Sequence, residues 1–263
     1  MTRTIAVANQ KGGVAKTTTV ASTGAALVEL GQRVLLVDLD PQACLTFSLG
    51  LDPEALGISV HDVLLGRVAA GAAIVPTDEG IDLLPATIDL AGTEAQLLTR
   101  TGREFALRAA LADVTSDYDT ILLDCSPSLG VLTINALTAA DEVLIPLQCE
   151  TLSHRGVGQL LDTIGDVRRI TNRDLTVLGV LPTLYDARTT HARAVLADIS
   201  DRYGLPVLVP PIPRSIRFAE APAAGRSVLS GSRFRGAQAY RELAQGLVDG
   251  SAVSVAAAAG AGA

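Results

Sequence analysis

The chain has 263 residues, in which 21 Lys and Arg stand against 28 Asp and Glu for a net charge of −7. That balance excludes a uniformly basic nucleic-acid binder, and a composition of 48% hydrophobic and 19% charged residues excludes wholesale disorder. The three cysteines, Cys44, Cys125 and Cys149, are odd in number and widely spaced, so they suggest neither a disulfide framework nor a zinc knuckle and read as buried small hydrophobes.

The first apolar, β-branched run, residues 4–9, predicts a buried strand. It is too short for a secretory signal, and no run of about 18 apolar residues follows, so a cytoplasmic protein without membrane contact is expected. Next comes Asn9-Gln10-Lys11-Gly12-Gly13-Val14-Ala15-Lys16-Thr17-Thr18-Thr19, opening a helix over about 17–30. Consecutive glycines let backbone N–H groups curl around an anion, and the helix start adds the positive end of its dipole. Lys16 then brings a mobile charge to the β- and γ-phosphates of a nucleotide, and Thr17 brings a hydroxyl to Mg²⁺. Lys11 and Lys16 are the only lysines, the other 19 cations being arginines, so this loop needs an ammonium. The strict phosphate-loop pattern asks for glycine where Gln10 and Ala15 stand.

The second strand, 33–38, runs into Asp38-Leu39-Asp40-Pro41-Gln42, which sets two carboxylates on one side of the chain. Beside a γ-phosphate, Asp40 is suited to orient and polarise the attacking water, and Asp38 to hold either a Mg²⁺-bound water or a loop. Residues 45–85, punctuated by Gly and Pro, read as an irregular insertion with one short helix at 59–65. A helix over 103–114 precedes a third strand, 118–124, whose terminal Asp124 is placed to reach Mg²⁺ through water.

Helices over 129–139, 153–171, 189–203 and 235–248 alternate with strands at 142–147, 175–181 and 206–209. Every crossover is long enough for a helix, so the expected fold is a single-domain, doubly wound α/β sheet, mostly parallel, with helices on both faces. Ligands in such sheets bind at the carboxyl ends of the strands. The domain is expected to span 1–250, followed by a flexible Ala/Gly-rich tail, 251–263. Charge is divided unevenly: residues 1–150 carry a net −11 and residues 151–263 a net +4, with nine arginines between 188 and 241 against Asp198, Asp201 and Glu220. His61, His154 and His191 lack metal-ligand spacing and read as structural or surface residues.

Lys11-Gly12-Gly13-Val14-Ala15-Lys16-Thr17-Thr18 resembles the deviant Walker A motif, K-G-G-V-G-K-T-T, of the ParA and MinD group of ATPases. The run from Val37 to Gln42 resembles that group's V-D-x-D-P-Q. The strand ending in Asp124 resembles its Walker B strand, with Ser126 where a proline is usual. The likeness to the ParA family of partition ATPases continues through 143–148, 179–189 and 212–222, about the whole chain except the tail. It implies a P-loop NTPase fold, with ATP and Mg²⁺ as cofactors. It also implies a nucleotide-dependent homodimer that binds double-stranded DNA non-specifically on the nucleoid and hydrolyses ATP slowly until a ParB-like partner stimulates it. In that scheme Lys11 reaches across the dimer to the other subunit's phosphates, Lys16 serves its own, and Asp40 acts on the water. Gly12, Gly13, Val14, Ala15, Thr17 and Thr18 hold the nucleotide, Pro213 lies near adenine, and Thr17, Asp38 and Asp124 serve Mg²⁺. Arg188 and Arg217 match positions of DNA contact, with Arg214, Arg226, Arg233 and Arg235 as neighbours.

With only Met1, Thr2 and Arg3 before the first strand, the chain is expected to resemble the short form of the family, without an N-terminal helix-turn-helix. Two alternatives stay open. The methyl group of Ala15 could leave a DNA-binding protein impaired in nucleotide binding, and a MinD-like positioning ATPase shares the loop, although residues 251–263 do not resemble its basic amphipathic end. A metabolic ligase or synthetase of related fold would need a second substrate pocket.

Overall fold

The computed structural model describes residues 2–150, 153–230 and 234–251; Arg233 and the tail from residue 252 lie outside the described residues. Strand and helix alternate from the start: β1 (Arg3–Val7), α1 (Lys16–Glu29), β2 (Val34–Leu39), then the short helices α2 (Cys44–Ser48), α3 (Val60–Leu64) and α4 (Ala70–Ala73). Two brief strands, β3 (Val75–Pro76) and β4 (Asp82–Leu84), lead into α5 (Leu90–Leu98) and α6 (Ala106–Leu111). The second half runs β5 (Thr120–Cys125), α7 (Val131–Ala139), β6 (Glu142–Gln148), α8 (Ser153–Ile170), β7 (Thr176–Thr183), α9 (Thr190–Tyr203), α10 (Arg217–Ala223) and α11 (Arg235–Val248).

The strands form one sheet in the order β3-β4-β2-β5-β1-β6-β7, parallel throughout except for the β3–β4 pair. All residues of β2 and β5 are buried, as expected for central parallel strands covered on both faces. Successive side chains point to opposite faces, and the core divides accordingly. Leu35, Val37, Ile121 and Leu123 join α3, α5, α6, α7 and α8, while Val34, Leu36 and Leu122 join α1 and α11. This is the expected doubly wound α/β fold.

The sheet departs from expectation at its two edges. Residues 45–85 are more than an irregular insertion: they supply β3 and β4, and β4 pairs in parallel with β2. The helix expected there is present as α3, with Ser59 and Asp62 closing a capping box at its start. At the other edge, the strand expected at 206–209 is reduced to an isolated bridge between Val180 and Val207. Pro206, Pro210 and Pro211 have no N–H to donate, so only scattered bonds follow β7, such as Leu208 N to Val180 O at 2.8 Å. The helix expected over 103–114 ends early, as α6, after a single 3₁₀ turn at Arg103–Phe105.

No helix is expected from the sequence at 217–223, yet α10 forms there with Pro222 inside its last turn. Just past the ends of α10 and α2, two glycines bring the backbones close together. A Cβ added at Gly225 would lie 2.9 Å from Gly50 Cα, and one added at Gly50 would lie 3.0 Å from Gly225 O. Both glycines have positive φ, so neither site accepts a side chain without strain.

Candidate functional site

β1 opens onto the loop 10–15, which leads directly into α1. Two bonds, from Asn9 and to Val14, pin this region to the far half of the sheet, and a third, within it, ties Lys11 to Asn9. Asn9 Nδ2 donates to Pro146 O at 2.7 Å, Lys11 N to Asn9 Oδ1 at 3.0 Å, and Thr183 Oγ1 to Val14 O at 2.9 Å. α1 begins with no side-chain cap and no acidic residue in its first turn. Its leading N–H groups and dipole are therefore left for an external anion.

Ala15, the N-cap of α1, sits in the left-handed region at φ 65° and ψ 35°. Glycine adopts this backbone freely, whereas an L-residue with a Cβ pays about 1–2 kcal/mol. The reason for a glycine at this position is thus legible in the backbone itself. Ala15→Gly is expected to stabilise the protein by about 1 kcal/mol, after allowing for the looser unfolded chain, and to raise Tm by roughly 2–4 °C in calorimetry. An unchanged Tm would mean that the loop rests in another conformation.

Parallel pairing of β2 with β5 sets Asp38 directly beside Asp124 in register, and the β1–β5 register puts Val7, the last residue of β1, on the other side of Asp124. Asp124 is buried, and neither of its carboxylate oxygens has a hydrogen-bond partner. Burial, reinforced by the neighbouring Asp38 charge, pushes its pKa well above the usual carboxylate range; the Thr17 hydroxyl and Lys16 oppose the rise without closing a hydrogen bond on either oxygen. Lys16 is buried beside it, its Nζ donating to Lys11 O at 3.3 Å, and burial lowers its pKa against the pull of Asp124, Cys125 and Asp40. An orphaned, buried carboxylate next to a threonine hydroxyl and a phosphate-binding loop fits a hard divalent cation. Among the described residues no cluster of three or more His, Cys, Asp or Glu could hold a metal.

Asp38 differs from Asp124 in that protein donors engage both its oxygens. Oδ1 accepts from Asp40 N at 3.1 Å, and Oδ2 accepts from Thr46 N at 2.9 Å and Thr46 Oγ1 at 2.7 Å. Its burial still raises its pKa to about 6. These bonds tie Asp38 to the turn that follows β2. Asp40 is half-buried at the head of that loop and accepts from Gln42 N at 2.9 Å.

Lys11 forms an ion pair with Glu150 at 2.5 Å, with both side chains partly exposed. Glu150 also lines a cavity of about 1040 Å³ with Gln148, Tyr185, Arg188, Pro213 and Arg214. The structure therefore brings Pro213, expected near adenine, and Arg188 and Arg214, expected at DNA, to one cavity beside the loop. Arg188 is exposed and bonded through Nε and Nη2 to Asp186, which its guanidinium holds at a pKa of about 2. Arg217 is exposed and lies 5.1 Å over the Phe234 ring. Arg241 is bonded to Glu29 at 2.5 and 2.8 Å, so its charge is matched within the chain.

Sequence reasoning missed Glu150, Thr46 and an aromatic contact chain. Thr19 of α1 bonds Tyr240 Oη of α11 at 3.1 Å; Tyr240 stands edge-on to Phe218 of α10 at 6.0 Å, and Phe218 to Phe234 at 5.5 Å. With only four Phe and four Tyr in the chain, their grouping near 218–240 was an available signal. The expectation of three buried thiols holds only for Cys125, since Cys44 is exposed and Cys149 half-buried.

A family model described as an AAA domain matches residues 2–177. The chain is 44% identical over 247 residues to the sporulation initiation inhibitor protein Soj of Bacillus subtilis, covering 93% of this chain and 98% of that protein. It is 42% identical over 250 residues to the chromosome partitioning protein ParA of Caulobacter vibrioides, covering 94% of each. A crystal structure named as cobyrinic acid a,c-diamide synthase from Mycobacterium smegmatis, with bound ADP and magnesium, matches with a TM-score of 0.85 at 64% identity over 94% of each chain. A second structure of that protein holds an ATP analog and magnesium.

Proposed function

Because the chain belongs to the ParA family of partition ATPases, we propose that it is an ATP-driven switch that dimerises on MgATP, binds DNA without sequence preference, and hydrolyses ATP under the control of a ParB-like partner. The observation that carries this reading is an unpartnered, buried Asp124 near the buried Lys16 at the uncapped start of α1. The first-turn N–H groups and Lys16 bind the β- and γ-phosphates, and Thr17 and Asp124 hold Mg²⁺. When bound, that ion neutralises charge on the phosphates. Asp40, at the mouth of the site, orients the water for attack on the γ-phosphate. Lys11, on the same loop, is exposed enough to exchange Glu150 for the phosphates of a second subunit.

Arg188, Arg214 and Arg217 meet backbone phosphates of DNA, an interaction that needs charge and not base recognition. Light scattering with MgATP should give twice the mass seen without nucleotide, and DNA binding should appear with the larger species. Alanine at Arg188 and Arg217 should weaken binding similarly on unrelated sequences and reduce the salt slope by about one for each phosphate left without its arginine. A constant mass across all nucleotide states would overturn the switch.

The name of the Mycobacterium smegmatis relative favours a second reading, an ATP-dependent amide synthase. If nitrogen came from glutamine, a thiolate nucleophile would be wanted. Here burial pushes the Cys125 thiol far up and the Cys149 thiol to about 11, and Cys44 is raised by its partial burial and the nearby acids. ATP turnover that responded to cobyrinic acid and glutamine, and not to DNA and a ParB-like protein, would select this second reading.

A further inference from the structure

Three residues other than glycine have positive φ among the described residues: Ala15, Ala43 and Leu184. Ala15 lies in the phosphate loop. Ala43, at φ 51° and ψ 33°, lies in the turn that carries Asp40. An alanine held in the left-handed region persists only where its surroundings over-determine it, so something must clamp this turn.

The clamp is visible in the hydrogen bonds. Thr46, fully buried on α2, donates through its hydroxyl to Asp38 Oδ2 at 2.7 Å, and its own N–H reaches the same oxygen at 2.9 Å. The hydroxyl also accepts from Ala86 N at 2.9 Å, just beyond β4. Donor and acceptor capacities are both engaged, so the hydroxyl proton has one place to point. Asp38 in turn takes Asp40 N on its other oxygen, and Ala43 N donates to Asp40 O at 2.9 Å. The turn 38–46 is therefore fastened to β2 at its start and, through one hydroxyl, to β2 and the end of β4 at its finish.

We infer that Thr46 is a positioning residue for nucleotide hydrolysis: its hydroxyl, bridging Asp38 and Ala86 N–H, holds the strained turn so that the Asp40 carboxylate stands at the γ-phosphate position. This rests on the reading of Asp40 as the residue that orients the water. Thr46 is fully buried and bonded only within the protein, so its loss acts on turnover through geometry, while the loop between β1 and α1 keeps its own bonds to Pro146 and Thr183.

The test measures ATP turnover and, separately, ATP binding for the full chain as wild type, Thr46→Val, Thr46→Ser and Asp40→Ala. Thr46→Val is expected to lower kcat by about 10- to 100-fold, the effect of misplacing a reacting group by roughly 1 Å, with ATP affinity held within about 2-fold. Thr46→Ser, which keeps the bridging hydroxyl, is expected to retain kcat. A Thr46→Val protein with wild-type kcat overturns the proposal, as does a Thr46→Ser protein as slow as Asp40→Ala, which would assign the role to packing of the methyl group. Should Thr46→Val not fold, the Thr46→Ser result decides by the same criterion. If Asp40→Ala turns over at the wild-type rate, the reading of Asp40 fails and the proposal with it; a slow Asp40→Ala beside a fast Thr46→Val removes the proposal alone.

Discussion

Replacing Lys16 with alanine is expected to lower ATP affinity by about 100-fold or more while leaving Tm unchanged or raised. The first effect follows from removing a buried cation from the proposed phosphate site, since truncating one partner of a buried, hydrogen-bonded charge pair costs roughly 2–5 kcal/mol. The second follows from the same burial in the free protein. Burial lowers the Lys16 pKa despite Asp124, Cys125 and Asp40, so its ammonium is held at a cost until an anion arrives. A residue that costs stability when unliganded and supplies affinity when liganded is characteristic of a binding site. Calorimetric titration with MgATP, beside a thermal melt without it, separates the two effects. Loss of affinity together with a large fall in Tm would recast Lys16 as a structural residue.

Asp40→Ala is expected to slow ATP turnover by about 100-fold or more and to leave ATP affinity nearly intact, in the range typical of a positioned acid–base group. Its carboxylate takes a hydrogen bond from Gln42 N and is half-buried, whereas Asp38 is buried and held by Thr46 and Asp40 N. Asp40 is thus the acid of this turn with capacity left for a water. Asp40→Asn, similar in shape, should be nearly as slow if the charge polarises the water. Single-turnover chemistry on preformed complexes reads the difference directly, and a fast Asp40→Ala would move the water to another group.

The phosphate loop was legible because it is contiguous. Glycine, lysine and threonine types from Gly12 to Thr18 state their chemistry within one turn of a strand-to-helix junction. The strand-end acids were legible for the same local reason, but their relation to each other was not. Only the insertion of β5 between β1 and β2 makes Asp124 a neighbour of Asp38, and strand order is not carried by hydrophobic period. Thr46 and Ala86 lie 40 residues apart, and Lys11 and Glu150 lie 139 apart, so their pairing belongs to tertiary structure alone. The edge strands failed in opposite directions. β4 is three residues long and offers too little alternation to detect, while residues 206–209 have the apolar character of a strand but are flanked by prolines that cannot complete a ladder.

The glycine contact between α2 and α10 has a mechanical consequence. Side chains can take up a small displacement by changing rotamer, but two backbones in direct contact have no such slack. Gly50 closes the helix that begins just beyond Asp40, and Gly225 closes the helix that begins with Arg217. A side chain at either glycine would therefore have to push the two helix ends apart, so this junction tolerates no residue with a Cβ without a backbone shift.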